Sequence, residues 1–160
     1  LAGTAGTAGA ELRGRMLMQP LVERPDGTRV LLDQALGKGF AVLELDDGAL
    51  PLAAPRGERA LGAALVRVIP RDHRFVAPRD PAVAQVRDCT GVLGGLFAGA
   101  QVRGVIVRPD RYVGACLPLA ADAGEADRLL AEIVRLSNAG AAVPGPAGAP
   151  DARLARVGVT

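Results

Sequence analysis

The run Gly39-Phe40-Ala41-Val42-Leu43-Glu44-Leu45 constrains the fold more than any other feature of the sequence. It has strand length and is apolar almost throughout, the pattern of a strand buried on both faces. Such a strand needs a layer above and a layer below it, which the rest of the 160 residues must supply. That length fits one domain with tails. With three Phe, one Tyr and no Trp, the core must be built from Ala, Val, Leu and Ile.

The elements around this run follow from period and punctuation. Pro20–Arg24 and Thr28–Leu32 flank Arg24-Pro25-Asp26-Gly27, a turn with Pro at its second position and Gly closing it, which predicts a β-hairpin. Asp33 is placed to cap a single helical turn that Gly37 ends. Glu58 to Leu65 has apolar residues at helical spacing, and Val66–Ile69 follows as a strand stopped by Pro70. Ala84–Asp88 predicts a strand and Val92–Ala98 a short helix. Gly104–Val107 and Tyr112–Cys116, joined by Arg108-Pro109-Asp110-Arg111, predict a second hairpin. Asp122 and Glu125 resemble a capping box, and Ala126, Leu129, Leu130, Ile133 and Val134 form one apolar stripe of a closing helix. Arg128 and Glu132 sit four apart on its other face, and Asn138 or Gly140 can end it.

Strands alternating with helices and closing in a hairpin under a last helix predict an α/β sandwich. The expected fold class is thioredoxin-like, with a mixed central sheet and an added N-terminal hairpin. Residues 1–13 begin with a Gly/Ala/Thr repeat and are expected to be a linker from an upstream region, 14–138 the folded domain, and 139–160 a Pro/Gly/Ala-rich tail. Leu1 rather than Met fits a piece of a longer protein.

The chemistry is defined chiefly by what is missing. A thioredoxin-like redox enzyme places its thiols after the first core strand, yet Asp46–Ala54 contains no cysteine, and Gln101-Val102-Arg103 lacks the proline that normally faces them. Cys89 and Cys116, 27 positions apart, fit neither a redox pair nor a zinc spacing. They are expected to be small buried hydrophobes in a reducing, cytoplasmic setting. The lone His73 sits in a polar loop and the lone Ser137 ends the last helix, so no catalytic triad forms. Eighteen Arg and one Lys against 17 acids are scattered, and no basic stripe points to nucleic acid or an anionic membrane. The longest uncharged stretch of the body, Cys89 to Val102, is 14 residues and too short to span a bilayer. No catalytic, cofactor-binding or metal-binding residue is assigned.

Several segments together resemble the C-terminal region of class A FAD-dependent aromatic hydroxylases, in the 3-(3-hydroxyphenyl)propionate hydroxylase and polyketide hydroxylase branches. They are a glycine-led entry, Gly14 to Gln19-Pro20-Leu21-Val22; a Leu31-Leu32-Asp33 hairpin exit; the Gly39-Phe40 strand; and the Arg108-Pro109-Asp110-Arg111-Tyr112-Val113 hairpin. Met18 departs from the pattern, which often has proline there.

The resemblance implies a thioredoxin-like domain without redox cysteines, attached to FAD-binding and substrate domains. It implies a parent enzyme in which NAD(P)H reduces FAD and flavin-activated oxygen hydroxylates a phenolic ring. The flavin motifs of that family have no counterpart here, so no flavin-contacting residue carries over. The expected partners are the other domains of the parent chain or a second copy. Among the matched residues, Pro109 and Asp110 are expected to set the turn, Tyr112 to need a hydroxyl partner if buried, and Phe40 to fill the core. The rival readings are a free-standing redox or peroxidase-type protein acting through Cys89, and a partner-binding module using the Pro-rich tail.

Overall fold

A computed structural model describes residues 9–46 and 62–141. Seven strands form one mixed sheet: β1 Leu21–Glu23, β2 Arg29–Leu31, β3 Ala41–Leu45, β4 Ala64–Ile69, β5 Val83–Asp88, β6 Val102–Val107 and β7 Val113–Pro118, in the order β2-β1-β5-β4-β3-β6-β7. Strand β3 is parallel to β4, and β4 to β5, while β6 runs antiparallel to β3 and β7 antiparallel to β6. This is the expected thioredoxin-like arrangement with a hairpin added at one edge. Three helices are described: α1 Leu32–Leu36, α2 Val92–Ala100 and α3 Ala123–Ala141.

Strand β3 is central because its apolar run serves two cores. Ala41 and Leu43 join Val66, Val68, Val105 and Val107 under α1 and α2, around the fully buried Phe97. Val42 joins Leu65, Ile106 and Leu117 under Ala126, Leu130 and Ile133 of α3. The β1–β2 hairpin pairs Leu21 with Leu31 and Val22 with Val30. In its turn the Thr28 backbone N–H donates to Asp26 Oδ1 over 2.8 Å, which holds that carboxyl below its ordinary range. The Asp122 carboxylate accepts from the Glu125 N–H at 2.9 Å, giving α3 its N-cap. The Arg128 guanidinium lies 4.0 Å from Glu125 rather than pairing with Glu132.

Four expectations change. The N-cap of α1 is Leu31 without a side-chain bond, and Asp33 lies inside the first turn, where its carboxylate is drawn to Arg111 instead. Ala64 and Leu65, expected to end a helix, are strand residues paired with Ala41 and Val42. In so alanine-rich a segment the helical period is weak, and parallel pairing decides. Positions 58 to 61 lie outside the described residues. Helix α3 runs through Asn138 and Gly140 to Ala141, since neither residue stops a helix as a proline does. Finally, Gly9 and Leu12, inside the expected linker, pack against the domain. The Gly9 N–H donates to the Ala100 carbonyl at 3.0 Å, and the Gly9 carbonyl accepts from Cys116 Sγ at 3.2 Å.

Candidate functional site

Three of the matched sequence segments, the glycine-led entry, the hairpin exit at Leu32-Asp33 and the Arg108–Val113 hairpin, far apart in the chain, meet at one junction. Val113 exchanges backbone bonds with the entry segment, accepting from Gly14 N–H and donating to the Arg15 carbonyl, both at 2.8 Å. The Leu17 N–H then reaches the Arg111 carbonyl at 2.8 Å, and the Leu32 N–H reaches the Pro20 carbonyl at 3.0 Å. Arg111 closes the arrangement: its guanidinium donates to the Asp33 carboxylate and to the Gly37 carbonyl, tying the β6–β7 turn to both ends of α1. Arg111 itself has φ 71, a left-handed conformation set by the tight turn.

Each matched residue has a definite place. Gly14 has φ 75, as the bend onto β7 requires. Gln19 Nε2 donates to the Leu17 carbonyl at 3.1 Å. Leu32 is fully buried. Asp110 Oδ1 accepts the Tyr112 N–H at 3.2 Å, and its other oxygen lies 2.5 Å from Arg108 Nη2. Pro109 is exposed at the turn. Tyr112 is 37% exposed, so its hydroxyl needs no buried partner. Phe40 is only half-buried beside the α3 core, and the ring at the centre of the other core is Phe97. A Cβ on Gly39 would lie 3.7 Å from the Gly62 carbonyl oxygen, an ordinary contact, so nothing in the structure demands a glycine there.

A second polar group lies toward the carboxyl ends of β3 and β4. Glu44, 1% exposed, accepts from Arg103 Nε and Nη2 at 3.1 and 2.7 Å and from Arg67 Nη2 at 3.5 Å. Arg103 Nη1 also donates to the Ala121 carbonyl at 3.0 Å. Glu44 and Arg67 are register partners on neighbouring strands, and Arg103 falls at a β-bulge between Val102 and Gly104 that re-aims its side chain. Arg67 Nε is buried without a partner. Sequence reasoning missed this group, although an acid inside a run buried on both faces must find a base.

The cysteines do not join either place. The Cys89 thiol is half-buried and faces the Arg87 carbonyl at 3.7 Å. Burial raises the Cys116 thiol from 9.0 to about 11, with Arg13 opposing weakly. His73 is exposed, its backbone N–H donating to the Pro70 carbonyl at 3.0 Å. Among the described residues no group of His, Cys, Asp and Glu could hold a metal ion, and no helix is long and apolar enough to cross a membrane.

With the junction in view, comparison with known proteins gives it a family context. A family model described as the HcaD C-terminal domain matches residues 14–135, the span that the junction holds together. The chain belongs to that family. Among curated proteins it is 36% identical over 132 residues to the 3-(3-hydroxy-phenyl)propionate/3-hydroxycinnamic acid hydroxylase of Mycobacterium sp. (strain JLS), covering 79% of this chain and 23% of the relative. The protein of the same description from Escherichia coli (strain K12 / DH10B) is 36% identical over 108 residues, covering 64% of this chain and 19% of the relative. The chain thus spans about a fifth of these hydroxylases.

Solved structures share the fold. Copper-bound ScoI of Arabidopsis thaliana superposes with a TM-score of 0.54 at 11% identity, covering 76% of this chain and 99% of its own. A thioredoxin peroxidase I of Plasmodium yoelii gives 0.52 at 14%, covering 86% and 97%. At such identities the likeness is one of fold alone.

Proposed function

We propose that this chain is the C-terminal module of an FAD- and NAD(P)H-dependent aromatic-ring hydroxylase of the cytoplasm, and that it supports the enzyme structurally rather than contributing catalytic groups. The observation that carries this reading is the match of residues 14–135 to a C-terminal domain family, together with 36% identity to a hydroxylase of which the chain spans only 23%. The described residues do not fit a flavin. Their strand-to-helix turn after β5, Asp88-Cys89-Thr90-Gly91, lacks the glycine-rich fingerprint that brings a backbone against a pyrophosphate. Flavin and nicotinamide are therefore assigned to the rest of the enzyme.

The reading is tested by replacing the matched region of the Mycobacterium hydroxylase with this chain. The chimera should hydroxylate 3-(3-hydroxyphenyl)propionate, whereas deletion of the region should abolish soluble, active enzyme. A deletion variant as active as the intact enzyme would overturn the structural role, and an inactive chimera would overturn the module reading.

A further inference from the structure

Eight large apolar side chains stand exposed among the described residues, and five of them, Met16, Met18, Leu21, Leu31 and Tyr112, lie along one stretch of chain and its two lateral partners. Met16 bridges Tyr112, and Leu21 pairs with Leu31. Leu17 points into the core at 3% exposure, so alternation turns Met16 and Met18, at 61% and 52%, outward. The stretch is held by the bonds of Leu17 to Arg111 and of Leu32 to Pro20, so these side chains stand on a fixed backbone rather than on a loose loop. Methionine, leucine and tyrosine on a preformed surface are what the buried centre of an interface is made of. Beside Met16 stand the exposed Arg13 and Arg15, and no ion pair among the described residues includes either of them.

We propose that this strip docks the module onto the part of the same polypeptide that precedes it in the hydroxylases, on a surface with an apolar centre and carboxylates at its rim. The proposal rests on the module reading above. In the Mycobacterium relative the matched region is 23% of the protein, so most of that chain is available as the occupant. The two unpaired arginines favour it over a second copy, which would bring the same cationic flank rather than the carboxylates that complement it.

The experiment uses the chimera and follows tryptic release of the module. The intact chimera should release it slowly, and Met16→Asp with Leu31→Asp should speed release by about tenfold or more. Val76→Asp, on a side chain 73% exposed outside the strip, should not. The 160-residue chain carrying Met16→Asp and Leu31→Asp should melt as the unsubstituted chain does. If it melts earlier, Met16→Gln with Leu31→Gln takes its place. A chimera that hydroxylates but releases the module at an unchanged rate overturns the docking surface and leaves the module reading intact. An inactive chimera overturns both. Concentration-dependent dimerisation of the chain alone, abolished by the same substitutions, would give the strip to a second copy and also overturn the proposal.

Discussion

Phe40 and Phe97 carry the same ring into different surroundings, and the difference fixes what each contributes. Phe97 is fully buried between α2 and the sheet, so Phe97→Ala removes a packed ring and leaves a cavity, costing about 3–5 kcal/mol. Phe40 is half-buried and loses less on truncation, about 1–2 kcal/mol for the part of its surface withdrawn from water. Urea unfolding of the two variants should rank them in that order, and equal midpoints would contradict the placement of the rings. Arg111 contributes through geometry rather than charge. Its fork reaches the Asp33 carboxylate and the Gly37 carbonyl together, which a lysine ammonium on a single stem cannot do. Arg111→Lys should therefore cost roughly 1–3 kcal/mol, discounted toward the lower end because Asp33 is half exposed. A lysine variant with unaltered stability would show that charge alone suffices at the junction.

At the scale of elements, legibility followed the strength of the local signal. Both hairpins, the buried strand β3 and the stripe of α3 were readable because turn chemistry and period agree there with tertiary packing. The lower edge of β4 was not, since alanine and leucine suit a helix or a buried strand equally and only pairing with Ala41 and Val42 decides. The matched motifs were visible as motifs, but their meeting through Arg111 was not, because the reach of a side chain across about 78 positions leaves no periodic trace. The packing of Gly9 was not legible for a physical reason as well. The glycines of the entry segment suggest looseness, yet Gly9, at φ 74, is what permits close approach: a Cβ there would lie 2.6 Å from Cys116 Sγ and 2.7 Å from Val102 Cγ1. Gly9→Ala should lift this strap from β7. Cys116 reports the event, since its thiol lies under the Gly9 carbonyl and burial keeps it protonated. A thiol-directed reagent at neutral pH should modify Cys116 slowly in the parent chain and faster in Gly9→Ala. The folded thiol is raised from 9.0 to about 11, so its contribution to stability is complete below pH 9.0 and declines as pH rises through about 11. Cys116→Ala should flatten the alkaline arm of a stability-against-pH curve over that window.

Across the whole molecule, the two ends of the parallel strands have opposite characters. The junction gathers the entry segment, the start of α1 and the β6–β7 turn, whereas near the carboxyl ends of β3 and β4 the chain buries Glu44 between two guanidiniums. The contacts show which of the two bases Glu44 serves better. Arg103 makes two short bonds to Glu44 and one to the Ala121 carbonyl, while Arg67 makes a single 3.5 Å contact and buries Nε without a partner. Removing Glu44 takes two short bonds from Arg103 and the 3.5 Å contact from Arg67, a loss of about 3–5 kcal/mol and a large share of the 5–15 kcal/mol that holds an ordinary domain. Removing Arg67 leaves the well-oriented Glu44–Arg103 bonds in place, and a methionine can fill much of the vacated volume. Chemical denaturation should therefore show Glu44→Met strongly destabilised and Arg67→Met within about 1 kcal/mol of the parent, or above it. If Arg67→Met fell as far as Glu44→Met, the cluster would be acting as one indivisible triad, and the asymmetry of its bonds would carry no energetic weight.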